Sequence, residues 1–178
     1  MKTGIISDIH GNYPALRAVL EDAEKEGVTQ LYCLGDLVGY YCMFNEVVHT
    51  IREKGIRTLM GNHDYALVKN NGVIERSKTC TRILGRQLTE ISPENLAWLQ
   101  TLETSFSFTQ AGTRFFCVHG GLQDPVDEYI RTIDKSYFET NNFTADVLIS
   151  GHTHLPRNEE YPPYRYLNPG SVGQPRDG

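Results

Sequence analysis

The chain lacks most of the features that would place it in a special class. No run approaches the roughly 20 consecutive apolar residues of a membrane span, so no membrane partner is expected. Lys and Arg number 17 against 22 Asp and Glu, a net charge of −5. That balance argues against a nucleic-acid partner, since phosphate backbones are held by clustered basic side chains, but it allows a small nucleotide or phosphate ester neutralised by a bound cation. The four cysteines, Cys33, Cys42, Cys80 and Cys117, form no CxxC or other close pair. They read as reduced thiols, and Cys33 and Cys117, inside apolar runs, are expected in the core. The start, MKTGIISDIH, has too few apolar residues for a signal-peptide core, which points to the cytoplasm. Low-complexity tracts, repeats and linkers are also missing, so residues 1–178 are expected to form a single domain, long enough to bury roughly 70% of its unfolded surface.

What is present is an alternation of strands and helices. TGIIS (3–7), QLYCL (30–34) and IRTLM (56–60) read as short buried strands. Between them lie a helix opening at Tyr13-Pro14 and ending at Gly27, and another over 45–54 with Val47, Val48 and Ile51 on one face. This order favours βαβ units and a largely parallel sheet. Residues 74–90 and SPENLAWLQTL, with Ser92 as N-cap and Pro93 at the first helical position, predict two more helices. SFSFTQ and TRFFCVHG, joined at Ala111-Gly112, predict a β-hairpin, and DVLIS (146–150) and YRYLN (164–168) two later strands. The Gly-rich ending NPGSVGQPRDG suggests that closing strands lie beyond Gly178.

Five loops, each after a predicted strand, carry the polar residues that stand out. They are SDIHGN with Asp8 and His10, LGDLVG with Asp36, MGNHDY with Asn62, His63 and Asp64, CVHGG with His119, and SGHTHLP with His152 and His154. Five of the six histidines fall there. Asp8 and His10, like His152 and His154, are i and i+2 pairs; in extended backbone their side chains leave on one side and could converge on one ion. Oxygen from Asp8, Asp36 and Asn62 with nitrogen from His10, His119, His152 and His154 makes seven donors. That is too many for one open catalytic ion, and two ions roughly 3.5 to 4 Å apart sharing a carboxylate suit the set better.

In that order the motifs DxH, GD, GNHD, HG and GHxH resemble the calcineurin-like metallophosphoesterase superfamily, from Ser7 to about Gly173. SDIHGNYPAL and NPGSVGQPR give the strongest likeness to its small, uncapped bacterial and archaeal phosphodiesterases. The resemblance implies an α/β fold of four layers, α-β-β-α, and a phosphoric ester hydrolase. It implies that Asp8, His10 and His154 bind one metal, that Asn62, His119 and His152 bind a second, and that Asp36 bridges them. His63, hydrogen-bonded to Asp64, would be catalytic near the leaving-group oxygen. Two cations would acidify a bridging water for in-line attack on a small phosphodiester or phosphomonoester. With nitrogen and oxygen donors and no Cys, Mn is the first expectation, with Fe, Ni, Co or Zn suited as well.

The chain departs from its relatives after Asp36, where GDLVGYYCMFN replaces GDxVGYGP. Tyr40, Tyr41 and Phe44 could there line a substrate pocket or pack on the neighbouring helix. Met60 stands where protein Ser/Thr phosphatases carry an arginine, which argues against that branch. Arg165 and Arg176 are cations that nothing in the sequence locates. His49 is expected on the surface, and Asn168 to Ser171 as a structural turn beside the site. The rival reading is a scaffold or sensor of the same fold that binds a protein partner, as the retromer subunit does; a filled His63 position favours the enzyme. The number of copies that associate, if any, is open to a homo-oligomer.

Overall fold

The computed structural model describes residues 2–69, 71–74 and 77–177. Three parallel strands form the first sheet: β1 (Thr3–Ile6), β2 (Gln30–Cys33) and β3 (Arg57–Thr58), side by side in that order. The second sheet contains β4 (Ser105–Gln110), β5 (Thr113–Val118), β6 (Val147–Ile149), β7 (Pro156–Tyr161) and β8 (Tyr164–Pro169). Its spatial order is β4-β5-β6-β8-β7, with β5, β6 and β8 parallel and an antiparallel hairpin at each edge. Ala111 and Gly112 both take positive φ, as a two-residue turn matched to the twist of β4 and β5 requires.

Alternation along the strands explains why two sheets stack. In β2 and the residue after it, Leu31 and Cys33 join one core while Tyr32 and Leu34 join another. In β5, Phe115 and Cys117 face the core between the sheets, and Phe116 and Val118 face outward to a third. Strands buried on both faces read as continuous apolar runs, as these do. Helices α1 (Tyr13–Lys25), α2 (Phe44–Glu53), α3 (Asn62–Lys69), α4 (Lys78–Glu90) and α5 (Pro93–Leu99) supply Leu16, Val47, Leu67, Leu84 and Leu99 to the outer core of the first sheet. Helix α6 (Lys135–Thr140) places Phe138 on the outer face of the second. The layers are therefore α-β-β-α, as expected. Cys33 and Cys117 are fully buried in them.

Several expectations need correction. GNHD is not a loop: Asn62, His63 and Asp64 form the first turn of α3. The helix expected over 74–90 starts only at Lys78, because the Ser77 hydroxyl accepts from the Cys80 N–H and caps it there; residues 75 and 76 lie outside the described residues. Helix α6 and strand β7 were not expected. β7 is an edge strand that begins at a proline and carries Arg157, Glu159 and Glu160, so it has no apolar alternation to betray it.

Candidate functional site

The side chains of four of these loops and of the first turn of α3 meet at the C-terminal ends of β1, β2, β5 and β6, the edge where open α/β sheets bind ligands. The strands stop at Ile6 and Ile149, so neither i, i+2 pair lies in extended backbone. Asp8, His10, Asp36, His152 and His154 instead take φ between 53° and 66°. For residues other than glycine this left-handed conformation costs on the order of 1 kcal/mol each and needs support. The support comes from neighbouring loops. Asp8 N–H donates to Gly35 O and His10 N–H to Asp36 O, while Ser171 Oγ and the Gly173 N–H both donate to Asp8 O. The closing NPGSVG segment is thus the structural turn that was expected. Asn168 Nδ2 donates to Gly151 O at 2.7 Å, and the Val172 N–H donates to Ser7 O.

The left-handed turns sort the donors into two sets, joined by a third group of His10, Asp36 and His63. Asp8, His10 and His154 form one, with Asp8 Oδ1 3.2 Å and His10 Nε2 3.1 Å from His154 Nε2. Asp36, His119 and His152 form the other, and His119 Nε2 is 3.2 Å from Asn62 Oδ1 and 3.4 Å from Asp36 Oδ2. Asp36 Oδ2 is also 3.5 Å from His10 Nε2, so this carboxylate lies between the sets. His152 and His154 therefore do not converge on one point, contrary to the spacing argument.

Three histidines have their tautomer fixed from behind. Nδ1 of His10, His119 and His154 lies 2.9, 2.9 and 2.7 Å from the carbonyl oxygens of Val38, Leu34 and Gln174. A carbonyl only accepts, so Nδ1 carries a proton and Nε2 is the ring nitrogen that faces the centre. Asp8 Oδ1 is buried and, among the described residues, has no hydrogen-bond partner of good geometry, with His154 Nε2 its near neighbour at 3.2 Å. A cluster of lone pairs with an orphaned carboxylate oxygen is the donor chemistry of a cation site.

The charges behave accordingly. Burial holds His10 down at about 3 and His152 at about 4, keeping both rings neutral. Burial opposes a charge on His119 too, but Asp36 outweighs it by charge and hydrogen bond, and the ring is pushed up to about 9. Burial alone would raise Asp36; His119 and His63 hold it well below the usual carboxylate range.

All of residues 1–178 match the calcineurin-like phosphoesterase superfamily domain. The chain belongs to that family. It is 33% identical to an uncharacterized protein of Methanocaldococcus jannaschii over 98% of this chain and 77% of the relative. It is 28% identical to the phosphodiesterase YfcE of Escherichia coli, over 100% and 83% of the two chains. A metallophosphoesterase structure from Sphaerobacter thermophilus superposes with a TM-score of 0.80 at 29% identity, covering 100% of this chain and 79% of that one. The chain is a phosphoesterase and hence a hydrolase, from a metal-dependent family, with candidate metal donors in the sets above.

The phosphoesterase cleft over these donors measures about 210 Å³, and Tyr40, His63, Tyr129 and Arg176 are among the residues on its wall. The loop after Asp36 splits in its roles. Tyr40 lines the cleft, its ring centroid 4.5 Å from that of His10 and 5.1 Å from that of His63, whereas Tyr41 is exposed and Phe44 is buried in the helical core. Gly39 must be glycine: its φ is 96°, and a Cβ there would collide with His63 Nδ1. Gln87 of α4 clamps this loop. Its buried amide accepts from the Gly39 N–H at 2.8 Å and donates to the oxygens of Gly39 and Tyr41 at 3.1 and 2.8 Å. Nothing in the sequence around a helical glutamine marks it for this.

Asp64 does not orient His63. Its two oxygens accept from four backbone N–H groups, those of Asp36, Leu37, Val38 and Gly61, at 2.8 to 3.2 Å. His63 Nδ1 is buried and has no hydrogen-bond partner among the described residues, and burial lowers the ring's pKa against the pull of Asp36. Burial and the Asp36 charge push the Asp64 carboxyl up to about 7, opposed by the Gly61 and Val38 amides. Its place is to tie the start of α3 to the Asp36 loop. Of the two arginines, Arg165 bonds to Asn158 on the β7–β8 hairpin, and Arg176 stands at the cleft. His49 is exposed, as expected.

Proposed function

We propose that the chain is a two-metal phosphoesterase that hydrolyses a small phosphodiester, or a monoester, by in-line attack of water at phosphorus. In this reading Asp8, His10 and His154 hold one ion, Asn62, His119 and His152 hold the second, and Asp36 serves both. The single observation that supports it is the convergence of seven donor side chains from four loops and the first turn of α3, with the proton-bearing nitrogens of three histidines turned outward to carbonyls. When bound, such ions neutralise phosphate charge and acidify a water molecule. Donors without thiolate favour manganese among the divalent metals, with iron, nickel, cobalt and zinc next.

The protein's own residues complete the reaction. His63 is on the cleft wall in contact distance of Tyr40, and it donates a proton to the departing alkoxide oxygen. Asp64 acts only through the backbone it ties together. Tyr40 covers His10 and His154 and limits water at the donor sets. We read residues 1–178 as one domain and the cytoplasm as its place of work, since the four cysteines are free thiols. Among the described residues no helix is long and apolar enough to cross a membrane.

The test is hydrolysis of p-nitrophenyl phosphate and bis(p-nitrophenyl) phosphate by purified protein with each of the five metals. Manganese-dependent turnover that drops by about 10²-fold or more in His63→Gln supports the reading. Metal binding without turnover of any ester would instead support a scaffold or sensor for a protein partner.

A further inference from the structure

Resting on that reading, we propose that Arg176 is a specificity residue that binds a second anionic group on the substrate, beyond the phosphate being cleaved. Among the described residues on the cleft wall, Arg176 alone carries a permanent positive charge; the rest are histidines, Asp36, Asn62, tyrosines and small or apolar side chains. The arginine is fixed at both ends. Its backbone N–H donates to His154 O at 3.2 Å, and its Nη1 donates to the Tyr129 hydroxyl, also at 3.2 Å. Tyr129 in turn donates to Thr153 O at 3.3 Å, and its ring stands edge-on to His152, centroids 5.2 Å apart. The guanidinium is thus tied, through Tyr129, to the loop that carries His152 and His154.

Charge completes the argument. Among the described residues Arg176 makes no ion pair with a carboxylate, and its exposed side chain at the cleft bonds a neutral phenol. The guanidinium of Arg131 also lies over the Tyr129 ring, 5.5 Å from its centroid. A planar fork of donors beside a phosphate site suits a second phosphate or a carboxylate, which it can grip through two parallel bonds. A neutral alkyl or aryl group offers nothing to it. The preferred substrate class is therefore a phosphate ester whose alcohol side carries its own negative charge close to the scissile bond.

Three esters with one leaving group test this: p-nitrophenyl phosphodiesters whose second alcohol is ethyl, 2-carboxyethyl or 2-phosphonoethyl. With manganese-loaded wild-type protein, kcat/KM is expected to favour an anionic ester over the ethyl ester by about tenfold or more, chiefly through KM. Preference for phosphonoethyl over carboxyethyl assigns a second phosphate; equal preference assigns any anion. In Arg176→Ala the ratio falls toward one, Arg176→Lys keeps part of it, and Tyr129→Phe lowers it by less than Arg176→Ala does. Because the readout is a ratio within each variant, a general loss of folded protein cancels. An unchanged ratio in Arg176→Ala, or a wild type that cleaves all three esters equally, overturns the proposal and leaves the phosphoesterase reading intact. A wild type that cleaves none of the three overturns both.

Discussion

Nε2 of His10 and Nε2 of His154 face each other across 3.1 Å, although both rings have their Nδ1 protons committed to carbonyl oxygens. Two lone pairs at that distance, with Asp8 Oδ1 3.2 Å from one of them, repel unless a positive charge joins them. Metal should therefore stabilise the fold as well as activate it. Manganese at about a hundredfold over its Kd is expected to add about 2.7 kcal/mol, and a chelator to remove it. Thermal denaturation with and without the ion checks this. His154→Ala should lose a large part of the gain, and a melting temperature indifferent to metal would count against the site.

Asp64 gives a sharper test of structure. Replacing it by Asn keeps the shape but turns an amide NH2 toward two of the four backbone donors. Two buried N–H groups left unpaired predict a loss of about 2 to 4 kcal/mol in urea denaturation. A loss below about 0.5 kcal/mol would show that the four bonds do not hold the Asp36 loop to α3.

Gln87 links stability to the cleft. Gln87→Leu removes three bonds to the 39–41 loop, which carries Tyr40 and lies against His63. A loss of about 1 to 3 kcal/mol is expected, with a rise in KM from the loosened cleft wall. Steady-state kinetics of the folded fraction would contradict this if KM stayed at the wild-type value.

His119 sets a pH dependence. Its pKa in the metal-free fold, about 9, lies above the ordinary 6.5. The proton thus stabilises the metal-free protein fully below about 6.5, and that stability is lost as pH rises through about 9. The melting temperature of chelated protein should fall across this window, and His119→Gln should flatten the fall. Metal ligation needs the Nε2 lone pair, so manganese uptake near pH 7.5 should release a proton, measurable in weak buffer.

The order of strands and helices could be read from periodicity because β1, β2, β5 and β6 are apolar on two faces and the helices on one. Val47, Val48 and Ile51 named the buried face of α2, and Ser92 named its neighbour's cap. What escaped were elements whose residues serve something else. Asn62 to Asp64 looked like a loop because polar site residues occupy the first turn of α3, and β7 was not expected because its Arg157–Glu159 pair sits on an open edge without apolar alternation. The polar set of the site was legible from residue type and order alone. Its geometry was not: left-handed backbone at five positions, rather than strand alternation, separates His152 from His154. Asp64 was misread because a carboxylate next to a histidine in sequence can be taken up by backbone amides, and Gln87 and Arg176 depend on contacts between distant segments.

The central claim is that Asp36 joins two donor sets that each hold an ion. The most direct measurement is metal stoichiometry by elemental analysis of manganese-saturated, gel-filtered protein, wild type beside Asp36→Asn, with turnover of bis(p-nitrophenyl) phosphate measured on the same samples. The account predicts two ions per wild-type chain, and one or fewer in Asp36→Asn together with loss of turnover. A single ion in the wild type, or two ions and full rate in Asp36→Asn, would contradict it.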